Sequence, residues 1–187
     1  MDSGVKEAFL LMVFFFSSGI LVGAFLVYPV AGKSALGYLG STPFDVRISP
    51  AALALLIFTN NVKVVLLIVL SALAVIGPPL IVFLNGVIVG AVSMYAVERT
   101  SIVTLLLSLT PHGVIEVPAI LYVSARSYAF GISVWKEILH KSRGNTHTHA
   151  LELVRALLVT IVLLFIAAVI EAFVTPRIAG IDYVFKP

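Results

Sequence analysis

Between Ala8 and Val30 the chain is an almost uninterrupted run of apolar residues. As a helix, its roughly 23 residues would be about 35 Å long, enough to cross the roughly 30 Å hydrocarbon core of a bilayer. No water reaches backbone N–H and C=O groups there, so only helices or closed barrels satisfy them. Further apolar stretches follow to the end of the chain, continuous rather than alternating and rich in Leu, Val, Ile and Ala, which fits a barrel poorly. The chain has 187 residues, 60% hydrophobic and 11% charged, against about 25% charged in a soluble domain. The expectation is an all-α polytopic integral membrane helical bundle, a single transmembrane domain over residues 1–187. The first run exceeds the 7 to 15 apolar residues of a signal-peptide core, so it is expected to remain as a span.

About five transmembrane helices are predicted, at roughly 8–31, 52–77, 79–97, 113–135 and 151–174. Residues 31–50 are rich in turn formers and read as a loop. The second span is interrupted by Thr59-Asn60-Asn61-Val62-Lys63. Starting it after Lys63 leaves only about 15 residues before Pro78, which is short for a span; starting it earlier places a lysine within the membrane, where it must snorkel or find a carboxylate. Gly77-Pro78-Pro79 ends that helix. The third span carries Asn85, which needs a hydrogen-bonding partner, and Gly86 with Gly90, a GxxxG pair that lets another helix approach closely. Gly19 and Gly23 offer the same in the first span, so a homodimer and packing within one chain are both open.

Residues 101–110 are apolar but too short to cross, and are expected as a short re-entrant or interfacial helix before the fourth span. They lead into Pro111-His112-Gly113-Val114-Ile115-Glu116-Val117-Pro118. His112 and Glu116 are about one helical turn apart and share a face. Charged acids at membrane depth cost about 2.5 to 3.5 kcal/mol on insertion scales, so such residues mark candidate sites. If this stretch lies at the outer surface, Arg126 falls near the middle of the membrane; if it lies part-way down, Arg126 reaches the far interface. Glu171, near the end of the last span, is the third such group.

Lysine and arginine are densest at Lys136, Lys141, Arg143 and Arg155. The positive-inside rule makes that segment cytoplasmic, with the amino terminus inside, the carboxyl terminus outside, and His112, Glu116 and Glu171 in the outer half of the bilayer. His140, His147 and His149 in this polar segment read better as solvated residues than as metal ligands. Cys is absent, which excludes thiolate sites and disulfides. The net charge of +3 is scattered over span ends and forms no track for phosphates, so nucleic acid is not an expected partner. No glycine-rich phosphate loop and no nucleophile-base pair appears.

The strings Phe58-Thr59-Asn60-Asn61-Val62-Lys63, Asn85-Gly86-Val87-Ile88-Val89-Gly90, Pro111 to Pro118 and Ile170-Glu171-Ala172-Phe173-Val174-Thr175-Pro176 occur in an order that resembles the stage II sporulation protein M family. The resemblance covers nearly the whole chain and implies a small five-span membrane protein. In endospore formers, members of that family act with a cell-wall transglycosylase and an amidase during engulfment, as scaffold or anchor. His112 and Glu116 look more like the wider, non-sporulating branch. A non-catalytic scaffold or assembly factor, with membrane or extracytoplasmic protein partners in the lipid bilayer of the cell membrane, is therefore the first functional expectation. A transporter or channel lined by His112, Glu116 and Glu171 is the alternative. The third is an intramembrane metal site, or a metal-dependent hydrolase, built on His112, Glu116 and Glu171 and helped by Asn60, Asn61 or Asn85. One histidine and two carboxylates suit a divalent metal such as Zn. In the structural account of the same residues, each carboxylate is neutral or pairs with Lys63 or Arg126 to fix packing, while Gly86, Gly90, Pro111 and Pro118 shape the helices.

Overall fold

The computed structural model describes residues 3–32, 49–140 and 145–178, without the side chains of residues 31, 32, 112 and 140. Most of the expected 31–50 loop, together with Lys141 and Arg143, lies outside the described residues. Among those residues there are helices and no strands, and five helices are long and apolar enough to cross a membrane.

The first helix, α1 (Ser3–Val22), continues as a π-helical segment over Gly23–Gly32 that contains Pro29. Proline removes a donor and crowds the preceding turn, which a wider winding tolerates. The second, α2 (Pro50–Leu70), starts where Ser49 caps it by accepting the amide of Ala52 at 3.2 Å, with proline in the first turn, and closes in a short 3-10 turn at Ser71–Leu73. Thr59, Asn60, Asn61 and Lys63 therefore lie within one continuous helix and not at its mouth. Pro78 and Pro79 sit in the first turn of α3 (Gly77–Arg99), where a missing N–H is harmless.

The long helix α4 (Ile102–His140) passes through both Pro111 and Pro118. The short apolar segment is helical, as its sequence suggests, and forms the first turns of α4 with no break before the span. At 39 residues, α4 would be about 58 Å long if straight. Last come α5 (Thr146–Phe173) and the single turn α6 (Thr175–Ile178). The polar segment around Lys136 and His149 is thus largely drawn into helix ends.

Close approach fixes the packing. A Cβ on Gly86 would meet the Phe16 carbonyl and the Gly19 Cα, and one on Gly90 would meet the Ile20 carbonyl and the Ala24 amide. In return, a Cβ on Gly19 would strike the Phe83 carbonyl, and one on Gly23 that of Val87. Contacts that advance together along both helices make α1 and α3 parallel, as alternate spans must be. Along the other main seam, α4 and α5 fold back on each other: the buried Thr160 hydroxyl donates to the Ala119 carbonyl at 3.2 Å, and Arg126 pairs with Glu152. Met12, Val65, Ile68, Val82, Val123 and Leu164 fill the centre. Of the most apolar window of each span, 56% is buried in α4 but only 11% in α2, so α4 is central and α2 peripheral.

Candidate functional site

Asn60 and Asn61 of α2 border a groove whose far walls are Glu116 of α4 and Glu171 of α5. Leu56 and Ile57 complete its rim, and its volume is about 360 Å³. Asn61 hydrogen-bonds the Glu116 carboxyl, and Glu171 lies near enough to repel it. Two carboxylates and two amides bordering one opening present acceptors to whatever enters. Such a surface favours a cation or a strong hydrogen-bond donor, because like charges in a poor dielectric gain most from a positive neighbour.

The order of the helices explains why these residues meet. The Phe58 and Phe165 rings touch edge to face, 5.7 Å between centroids, setting α2 against α5. The contacts of Thr160 with Ala119 and of Arg126 with Glu152 set α5 against α4. Glu116 then lies one turn from the Ala119 level, and Glu171 comes back from the far end of α5.

The remaining sequence-derived candidates fall elsewhere. Lys63 lies one turn beyond Asn60, and its side chain is exposed on the outward face of α2. Asn85, on α3, is half-buried and does not line the groove. Gly86 and Gly90 belong to the α1–α3 seam. Pro111 and Pro118 lie inside α4, Pro118 exposed. Position 112 is one turn before Glu116 on α4, but the His112 side chain lies outside the described residues. No cluster of three or more metal-binding side chains occurs among the described residues.

Arg126, a candidate partner for Glu116 or Glu171, is held instead by Glu152 and lies 5.4 Å from the Tyr122 ring centroid. Its charge is compensated within the α4–α5 hairpin. A fold-back about the polar segment brings residue 126 opposite 152, and that pairing could have been read from the spacing. The bond from the Tyr28 hydroxyl to Glu98, 2.6 Å, has no comparable signal. It ties the π-helical end of α1 to the last turn of α3. A second, larger cavity of about 760 Å³ lies between the start of α1, the end of α4 and the first turn of α5. Glu7, Lys136 and His149 border it, and the buried Nδ1 of His149 has no hydrogen-bond partner among the described residues.

Comparison with known proteins agrees with this architecture. The stage II sporulation protein M family matches over residues 12–176. An uncharacterized protein of the archaeon Methanocaldococcus jannaschii is 30% identical over 132 residues, covering 66% of this chain and 71% of its own. No solved structure matches the chain. Five apolar helices in a polytopic bundle, matched from the first span to the end of the last, make this chain a member of the stage II sporulation protein M family.

Proposed function

We propose that the protein is a non-catalytic scaffold or assembly factor that meets a partner protein inside the bilayer along the outward face of α2. The observation that carries this reading is the make-up of that face. Leu56, Asn60, Lys63 and Leu67 recur at helical spacing and are all exposed. Lys63 stands 13 residues after Pro50 and 10 before Leu73 (63 − 50 and 73 − 63), so about 15 Å of helix separates it from the nearer end. A four-carbon stem does not cover that distance. An ammonium and an amide facing lipid at this depth cost several kcal/mol unless protein covers them.

Photocrosslinkers placed at positions 60 and 63 in native membranes test the reading, with exposed Phe14 of α1 as a control. The expected result is a discrete protein adduct from α2 alone, lost from the probe at 60 when Lys63 is replaced by leucine and from the probe at 63 when Asn60 is. Labelling of lipid only, equal at all three positions, would overturn it.

A second reading is favoured by the groove itself. Glu116 and Glu171 at one opening suit cation passage or, with His112 one turn away on α4, a divalent metal. Liposome flux that disappears in Glu116→Gln with the fold intact supports the former. Stoichiometric metal in protein purified without chelators supports the latter.

A further inference from the structure

Lys63 and the groove lie on the same side of the bundle. Asn60 belongs to both the outward face and the groove wall, and Lys63 follows it by one turn. Among the described residues Lys63 has no ion pair, and no lysine or arginine borders the groove. One surface therefore carries a cation that needs an acid beside the carboxyl of Glu116. Resting on the reading of this face as an intramembrane contact surface, we infer that its occupant is a second copy of the same chain. The two copies are related by a two-fold axis along the membrane normal, with Lys63 of each reaching Glu116 of the other.

Depth is the first constraint. Such an axis keeps every residue at its own level, so the two members of a pair must already be level within one chain. Phe58 opposes Phe165 across antiparallel α2 and α5, which sets residue 63 opposite residue 160. Thr160 in turn bonds to Ala119, so Lys63 is level with residue 119, one turn from Glu116. A lysine stem spans that offset. Glu171 stands about two turns higher on α5 and serves as the outer wall.

Symmetry is the second. An isologous contact uses the same patch twice, so one Lys63–Glu116 complementarity yields two ion pairs and leaves neither lysine in lipid. Asn60 meets its counterpart between them. The other small-residue faces a dimer could use, Gly19 with Gly23 and Gly86 with Gly90, are already consumed by each other within the chain.

The test is dimer fraction by single-molecule photobleaching in liposomes over a dilution series. Lys63→Leu and Glu116→Gln should each weaken association about tenfold or more, as truncating one member of a buried charge pair does. The copies K63E and E116K should each be monomeric alone and should pair when mixed, since each restores both contacts of the other. Because the chain lacks cysteine, K63C and E116C expressed on separate copies should crosslink with a short bis-maleimide, which reads proximity even if charge reversal impairs folding. A wild-type chain that stays monomeric at all densities, or K63L that dimerises like wild type, overturns the inference. If position 63 still yields a discrete adduct to another protein in those cases, the scaffold reading stands without the dimer; if it yields none, both fall.

Discussion

Along the α1–α3 seam four glycines let backbone touch backbone, whereas along α2 the middle of the helix carries two asparagines and a lysine and leaves most of its surface uncovered. Lipid tails are as apolar as leucine, so burying apolar area drives neither contact. The seam gains dispersion and shape through the lack of side chains. The α2 side is set by polar groups that lipid does not satisfy. The contrast teaches that the first surface is closed within one chain, while the second leaves an asparagine and a lysine uncovered.

Changes at the seam should have the largest effect. Gly86→Val or Gly23→Val puts carbons where backbone carbonyls already stand, and should destabilise the fold by about 3 kcal/mol or more. Steric-trapping or mixed-micelle unfolding would measure it, and a loss under about 1 kcal/mol would mean that α1 and α3 slide apart at little cost.

Arg126→Ala comes next. It strands Glu152 beside the core, but Glu152 keeps a third of its side chain exposed. The expected loss is about 2 kcal/mol, below that of a fully buried pair. Thr160→Val removes the one hydrogen bond from α5 to the Ala119 carbonyl and should cost about 1 kcal/mol by the same unfolding measurement.

On the α2 side the order reverses. Lys63→Leu should change the stability of the isolated chain by less than about 1 kcal/mol, or raise it, while abolishing the contact of this face in membranes. A large drop in unfolding free energy would assign Lys63 to the fold and end the contrast. The smallest effect is expected at Gly113, next to His112. A Cβ there meets nothing within 4 Å, so Gly113→Ala should leave stability unchanged or slightly improved by helix propensity. Thermal unfolding of the G113A and G86A proteins side by side would show how differently two glycines behave.

The number of spanning helices and the break at Gly77-Pro78-Pro79 were legible in the residues. Runs of apolar side chains leave a chain in lipid no alternative to helices, and Pro78-Pro79 can stand only at a helix start. The meaning of the prolines in α4 was not legible. A missing donor marks a break only when nothing else supports the turn, and here α4 runs through both. Glu116 and Glu171 stood out as costly in the sequence, and the fold brings them to one groove with Asn60 and Asn61.

By itself, the sequence determined that this protein is a five-span helical bundle and which residues are too polar to be idle within it. Only the tertiary structure decided which way each faces. It turned Gly19, Gly23, Gly86 and Gly90 inward onto each other, matched Arg126 to Glu152 rather than to the groove, and turned Lys63 outward. The reason is geometric: periodicity names the residues that share one helix's face, while the neighbour of that face depends on how the other four helices pack.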